Sequence, residues 1–175
     1  MRCAYQIPIS IDSCQLVEKN LKIIYSYNRL QKYANNLDGN PVAIETYEVL
    51  NSENFVDQLP HNILQNEIPG VQVLKIPASD VPDPVVAAHV DVRRNCAINV
   101  YLKTAGEITN FYTWNKQEKK SYLRESFCSK TGQTWLMNST VPHSVTLVPN
   151  TERVILTFSF KKIKYEEMVQ CLKIN

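Results

Sequence analysis

Two of the three histidines in this 175-residue chain lie in its second half, and one of them has a carboxylate two residues away. His89 and Asp91 form an HxD pair in AAHVDV, and His143 follows Pro142 in NSTVPHSV. Residues i and i+2 of a strand point to the same face, so this pair can present an imidazole and a carboxylate to one point. The sequence therefore predicts that His89, Asp91 and His143 together bind a metal ion.

Two imidazoles and one carboxylate on one face of a metal are the ligand set of non-haem Fe(II) oxygenases, which keep the other positions open. A lone histidine in a β protein is more often structural, and an isolated HxD pair is a weak signal. Arg153 adds weight, because it opens the apolar run RVILTFSF ten residues after His143. A guanidinium there would be costly to bury without an anion, and it could hold a carboxylate through two hydrogen bonds. The alternative is an ordinary ion pair with Glu152, Glu107 or Asp91.

Short strand-like runs separated by turns fill the chain from residue 71 onward and would position these side chains. They are VQVLKIPA, VVAAHVDV, CAINVYLK, EITNFYTW, SYLRESFC, QTWLMN, SVTLVP and RVILTFSF. Such close spacing is typical of an all-β sandwich or barrel rather than of βαβ units. If SVTLVP and RVILTFSF pair as antiparallel neighbours, Arg153 returns to the level of the metal ligands.

The flanking segments are predicted to be partly helical. Apolar spacing predicts a helix within residues 12–34, a strand over residues 41–50, a short helix over about residues 52–64, and a C-terminal helix in YEEMVQCLK. The lysine-rich stretch from Asn115 to Lys120 is predicted to be a long loop. We expect a single domain over residues 1–175. Residues 1–70 would support the core, residues 71–161 would form it, and residues 162–175 would be a C-terminal helix.

Composition and charge argue against several classes of protein. The four glycines form no GxxxxGK[ST] or GxGxxG motif, and the five cysteines form no CxxC pair. A net charge of +2 without a concentrated basic face makes nucleic-acid binding an unfavoured interpretation. The sequence has no apolar run of membrane-spanning length and none like a signal peptide near its start. We therefore expect a cytoplasmic protein that does not bind membranes.

Two segments resemble the 2-oxoglutarate-dependent Fe(II) oxygenase family. GQTWLMNSTVPHSVTLVPNTERVILTFSF looks like the closing half of that family, with a Pro-His-x-Val step and an arginine that opens the last strand. HVDVRRNCAINVYL resembles the front half, and the likeness extends over roughly residues 71–160. It is similar in style to the aspartyl/asparaginyl hydroxylase branch and to small phage-encoded members. The resemblance implies a mainly β fold, a double-stranded β-helix (jelly-roll or cupin-like) core with N-terminal helices and a short C-terminal helix.

Carried over to this sequence, the resemblance also implies roles for individual residues. His89, Asp91 and His143 would bind Fe(II), and Arg153 would bind the distal carboxylate of the co-substrate 2-oxoglutarate. Ile155 stands where many relatives carry a serine, so part of the co-substrate pocket departs from the family pattern. Further candidates lie on the strands and the turn that follow the HxD pair. They are Asn99 and Tyr101, which could face the co-substrate, and Arg93 or Arg94, Tyr112 and Trp114, which could line the substrate pocket.

The implied activity is a dioxygenase reaction that uses O2 and 2-oxoglutarate, releases succinate and CO2, and hydroxylates a substrate. The substrate could be a protein side chain, a nucleotide or a small metabolite. A cupin-like dioxygenase or isomerase is a first alternative, but it commonly uses an HxH pair and a glutamate, and this chain has too few histidines. A second alternative is a catalytically inactive double-stranded β-helix that serves as a binding or structural protein, since fold does not fix function.

Overall fold

The computed structural model describes residues 2–14, 16, 20–28 and 39–174. These residues form two β-sheets packed face to face, with short helices beside the larger sheet. The strands are β1 (Ala4–Ile7), β2 (Leu21–Asn28), β3 (Asn40–Pro41), β4 (Ala43–Val49), β5 (Gly70–Ile76), β6 (Pro84–His89), β7 (Cys96–Lys103), β8 (Ile108–Asn115), β9 (Lys120–Cys128), β10 (Thr134–Asn138), β11 (His143–Thr146) and β12 (Arg153–Phe160). The helices are α1 (Glu53–Val56), α2 (His61–Leu64) and α3 (Tyr165–Cys171).

The order of the strands identifies the architecture. The larger sheet runs β1-β10-β7-β12-β5-β4-β2, and the smaller sheet runs β3-β6-β11-β8-β9. Four of the eight consecutive strands β5 to β12 lie in each sheet, and the chain crosses between the sheets at every connection except the β8–β9 hairpin. The pairings among these eight strands are all antiparallel. Two interleaved four-stranded antiparallel sheets are the jelly-roll arrangement. The predicted double-stranded β-helix core is confirmed.

Strand β7 shows how the two faces of the larger sheet are used. All of its residues from Cys96 to Tyr101 are buried, and successive side chains point to opposite faces. Ile98 and Val100 pack in a cluster that also holds side chains of all three helices. Asn99 and Tyr101 therefore face the smaller sheet. The HxD pair is followed by a strand whose alternate residues point into the space between the sheets.

Strands β11 and β12 are not neighbours, so the predicted antiparallel pair of SVTLVP and RVILTFSF is wrong. β11 pairs with β6 and β8 in the smaller sheet, whereas β12 pairs with β5 and β7 in the larger one. The connection between them crosses from one sheet to the other. Arg153 therefore reaches the space between the sheets from the side that faces the histidines.

The N-terminal region contains a strand where a helix was predicted. Leu21–Asn28 is β2, which pairs antiparallel with β4, so the helix predicted within residues 12–34 is wrong there. LKIIYSYN is rich in β-branched and aromatic residues, which favour strands, and its apolar spacing coincides only by chance with a helical period. Residues 29–34 of that predicted helix lie outside the described residues. The strand predicted over residues 41–50 is confirmed by β4.

The lysine-rich stretch is a tight hairpin turn and not the long loop that the sequence predicts. Asn115 ends β8 and is the register partner of Lys120, the first residue of β9. The Asn115 Oδ1 atom accepts hydrogen bonds from the backbone N–H groups of Gln117 and Glu118, at 3.0 and 3.2 Å. An asparagine that bonds to the backbone two residues ahead is a common way to close a turn.

Helices are present in the two other segments where the sequence predicts them. Two short helices, α1 and α2, occupy the range predicted as one, and Pro60 separates them because proline disrupts a continuing helix. The C-terminal helix α3 is confirmed, with Tyr165, Met168 and Val169 on its buried face. Among the described residues, no helix is both long enough and apolar enough to cross a membrane.

Candidate metal centre

The two histidines meet because they lie opposite each other on neighbouring strands. His89 ends β6, His143 begins β11, and the two are register partners. Their ring centroids are 4.4 Å apart. Each Nδ1 atom lies within hydrogen-bonding distance of the backbone carbonyl oxygen two residues earlier, 2.7 Å from Ala87 and 2.9 Å from Val141. An Nδ1–H that donates to such a carbonyl fixes the tautomer in which Nε2 is the metal-binding nitrogen.

Asp91 brings a carboxylate to the same point from just beyond the end of β6. Its backbone N–H donates to the carbonyl oxygen of Ser139 at 3.0 Å, which holds this short extension in place. The Asp91 Oδ1 atom is 3.8 Å from Nε2 of His89, and its Oδ2 atom is 3.7 Å from Nε2 of His143. Ligand atoms from the three residues lie within 4.8 Å of one another, so the group could hold a metal ion. Nitrogen and carboxylate donors in this ratio suit a divalent transition metal.

Arg94 donates hydrogen bonds to the Asp91 carboxylate of this cluster. Its Nε and Nη2 atoms both donate to Oδ2 of Asp91, each at 2.9 Å. Its Nη1 atom donates to the hydroxyls of Thr157 and Ser159 on β12, each at 3.1 Å. Arg94 is therefore bound to a metal-ligand candidate rather than presented to a substrate. Arg93 is exposed and does not line the cavity described below, so the structure gives no support to its predicted place in a substrate pocket.

Arg153 is buried, with only 4% of its surface exposed. Its Nη2 atom lies 3.5 Å from the hydroxyl of Tyr101, and its Nε atom has no hydrogen-bond partner. Tyr101 is itself fully buried, so the guanidinium is shielded from water on that side. An arginine keeps its charge even when it is buried, and a charge held in this way is unfavourable without an anion.

The three carboxylates considered as ion-pair partners of Arg153 are all engaged elsewhere. Within the described part of the chain, no carboxylate lies within ion-pair distance of its guanidinium. The partners are Lys75 and Lys103 for Glu152, Arg94 for Asp91, and Thr104 and Ala105 for Glu107. The geometry of Arg153 thus suits an anion that comes from outside the chain.

A cavity of about 60 Å³ lies between the sheets and is lined by both the histidines and Arg153. Its other polar lining residues are Arg94, Asn99 and Thr109, and the rest of its wall is apolar. Asn99 Oδ1 and Thr109 Oγ1 are buried and have no hydrogen-bond partner. Buried polar atoms without a partner are rare in folded proteins. Together with Nε of Arg153, they mark this cavity as a place for a polar ligand.

The structure brings some of the other predicted residues to the cavity and keeps others away. Asn99 and Ile155 line it, and Tyr101 lies against Arg153. Tyr112 and Trp114 do not line it. The hydroxyl of Tyr112 is instead hydrogen-bonded to Oγ of Ser144, at 2.8 Å.

Strand β8 contributes different residues from those the sequence predicts. Thr109 lines the cavity, and the buried ring of Phe111 has its centroid 5.7 Å from that of His143. The sequence reasoning missed both, because alternation along a strand shows which residues share a face but not which face points inward. Thr109 and Phe111 are register partners of Val145 and His143 on β11, and that register decides the face.

No protein-family model and no curated protein sequence matches this chain. Solved structures with a similar fold include an oxidoreductase of the 2OG-Fe(II) oxygenase family from Burkholderia pseudomallei. It is 12% identical, with 81% of this chain and 75% of that one covered and a TM-score of 0.45. The ribosomal oxygenase YcfD from Escherichia coli, in complex with cobalt and succinic acid, is 14% identical with a TM-score of 0.47. The alignment covers 81% of this chain but only 37% of that one.

A cupin domain from Bordetella pertussis is also similar, with 16% identity, 53% of this chain and 80% of that one covered, and a TM-score of 0.35. The fold is a double-stranded β-helix. That assignment rests on the order of β5 to β12, and the chemistry of the site rests on its own residues.

Proposed function

We propose that this protein is a non-haem Fe(II)- and 2-oxoglutarate-dependent oxygenase that hydroxylates a substrate. The observation that carries the proposal is the presence of two complementary features in one cavity. A cluster of two histidines and one carboxylate lies at that cavity, and so does a buried arginine for which the described chain supplies no anion. A metal ion and a carboxylate ligand would satisfy both.

The donor set fits Fe(II). His89, Asp91 and His143 would hold the ion through Nε2, a carboxylate oxygen and Nε2, and the backbone carbonyls of Ala87 and Val141 orient the two rings. When bound together, Fe(II) and a 2-oxo acid supply the oxidative chemistry, in which one oxygen atom of O2 enters succinate and the other enters the hydroxylated product. The apolar wall of the cavity would exclude bulk water from the reacting groups.

Arg153 supports a dicarboxylate as the co-substrate. Its fork of N–H donors matches a carboxylate, and burial strengthens the resulting charge-assisted hydrogen bonds. The hydroxyl of Thr109 and the amide of Asn99 are the further polar groups in the same wall that have an atom without a partner. Thr109 would take the role of the serine that Ile155 replaces, by donating to the same carboxylate. A volume of about 60 Å³ is room for roughly four to six water-sized groups, which suits a short dicarboxylate better than a nucleotide-sized cofactor.

The experiment measures binding of 2-oxoglutarate to the protein loaded with Mn(II), a redox-stable substitute for Fe(II), by calorimetry. Arg153→Met should bind Mn(II) as the wild type does and bind 2-oxoglutarate at least about tenfold more weakly, because one buried charge-assisted interaction is lost. Lys103→Met is the matched control, since Lys103 is a cation with a side chain 63% exposed. Unchanged 2-oxoglutarate affinity in Arg153→Met would contradict the role of Arg153. A metal-loaded wild type that binds no 2-oxoglutarate would favour an inactive binding protein.

A further inference from the structure

We infer that Arg94 restricts Asp91 to a single metal-binding oxygen and thereby keeps one coordination position of the metal open. The inference rests on the metal site of the proposed function and assigns a positioning role to a residue outside the ligand set. Arg94 would act through Asp91 rather than as a ligand of the metal.

The contacts of the Arg94 guanidinium are unequal on the two oxygens of Asp91. Both Nε and Nη2 donate to Oδ2, each at 2.9 Å. A carboxylate oxygen offers about two lone-pair sites, so two N–H donors use most of the acceptor capacity of Oδ2. An oxygen with that capacity taken is the poorer metal ligand, and the metal would therefore bind through Oδ1.

The guanidinium cannot turn away from Oδ2 without losing contacts on a second strand. Its Nη1 atom donates to the hydroxyls of Thr157 and Ser159, which lie on the same face of β12. The Arg94 side chain is 15% exposed and that of Asp91 is 6% exposed, so water competes weakly for these bonds. All three nitrogen atoms of the Arg94 guanidinium are thus engaged in one plane, which fixes the plane of the carboxylate as well.

The number of oxygens that Asp91 gives to the metal decides how many coordination positions stay open. Two imidazoles and one carboxylate oxygen leave three of the six positions of an octahedral ion. A 2-oxo acid that binds through two oxygens, together with O2, would need all three. A carboxylate that bound through both oxygens would leave only two. Arg94 would thus act on the number of open positions rather than on the strength of metal binding.

The test counts exchangeable waters on bound Mn(II), from the broadening of its EPR signal in water enriched in oxygen-17. Mn(II) alone is the probe, so the readout needs no turnover and no co-substrate. The wild type should show about three waters on the ion, as two histidines and one oxygen require. Arg94→Met should retain Mn(II) and show about two, because Asp91 is then free to bind through both oxygens.

Two further variants separate this role from a general effect on folding. Arg94→Lys keeps the charge but cannot supply the paired donors while also reaching β12, so it should also show about two waters. Arg93→Met, at the adjacent exposed arginine, should keep about three. Thermal unfolding of each variant verifies that it is folded. If Arg94→Met does not fold, the water count of Arg94→Lys tests the role of Arg94 instead.

These measurements can overturn the role of Arg94 and the proposed function separately. Equal water counts in the wild type and the Arg94 variants would overturn the inference and leave the proposed function standing. Loss of Mn(II) from both Arg94 variants would also overturn it, since Arg94 would then support ligation itself. About three waters in the wild type and about two in the variants, without binding of 2-oxoglutarate, would sustain the inference and remove the proposed function. A wild type that binds no Mn(II) would overturn both.

Discussion

The guanidinium of Arg153 lies over the ring of Tyr101, with its Cζ atom 5.3 Å from the ring centroid. An aromatic face attracts a cation by roughly 0.5–2 kcal/mol, but it does not neutralise the charge. Both residues are at most 4% exposed. Tyr101 therefore packs against the arginine without neutralising its charge, which is consistent with the proposed binding of a carboxylate by Arg153.

His143 supplies one of the three side chains of the candidate metal site, and His143→Ala should weaken metal binding by at least about a hundredfold. Outer-shell changes already cost about 10–100-fold in affinity, and this variant removes a direct ligand. Mn(II) titration followed by EPR measures the loss. His61→Ala is the matched control, because His61 is an exposed histidine at the start of α2. Tight binding of Mn(II) by His143→Ala would remove His143 from the site.

Thr109→Val should weaken binding of 2-oxoglutarate by roughly tenfold without lowering the free energy of unfolding. The Thr109 hydroxyl is buried and has no hydrogen-bond partner, so its removal leaves no other group of the protein unsatisfied. Calorimetry on the Mn(II)-loaded protein and urea denaturation measure the two quantities. Thr113→Val, at an exposed threonine on the same strand, should change neither. A destabilised Thr109→Val with unchanged co-substrate affinity would make Thr109 a structural residue.

Strand β12 begins beside a small ion-pair network whose contribution should depend on pH. Hydrogen bonds from Lys75 and Lys103 lower the pKa of the Glu152 carboxyl. Because this pKa is lower in the folded protein than in the unfolded chain, the ion pairs stabilise the fold at pH values above the usual carboxyl pKa. This contribution disappears as the pH falls through the pKa of the folded protein. Glu152→Gln should therefore lower the free energy of unfolding at pH 7 by roughly 0.2–1 kcal/mol, because the pairs are partly exposed.

Urea denaturation of the wild type and Glu152→Gln at pH 7 and at pH 3 tests this dependence. The difference between the two proteins should shrink at the lower pH, where Glu152 is increasingly protonated, and at high salt, which screens the pairs. A difference that is the same at both values of pH would mean that Glu152 acts through packing instead of charge.

The sequence was sufficient to predict the class of fold, because eight short strand-like runs at close spacing allow few other arrangements. It was also sufficient to single out the residues of the cluster, whose types and spacing are chemically specific. It was not sufficient to predict their positions. His89 lies across from His143 through the register between β6 and β11, and register depends on contacts between strands distant in sequence.

The errors have the same origin. Tyr112 and Trp114 were predicted from the family resemblance to line the pocket, but the register of β8 against β11 turns Thr109 toward the cavity instead. Of the two arginines after the HxD pair, Arg94 binds Asp91 and Arg93 is exposed, a choice that neighbouring side chains on β12 decide. Arg153 lines the same cavity as the histidines, although the strand pairing predicted to bring it there is wrong.

The most direct test of the account is anaerobic titration of the Fe(II)-loaded protein with 2-oxoglutarate, followed by visible absorption. A 2-oxo acid bound to Fe(II) through two oxygens gives a weak charge-transfer band, which reports the metal and the co-substrate together. We expect this band in the wild type and its absence in Asp91→Ala, which lacks the carboxylate of the cluster. A wild type that retains Fe(II) but shows no band at saturating 2-oxoglutarate would contradict it.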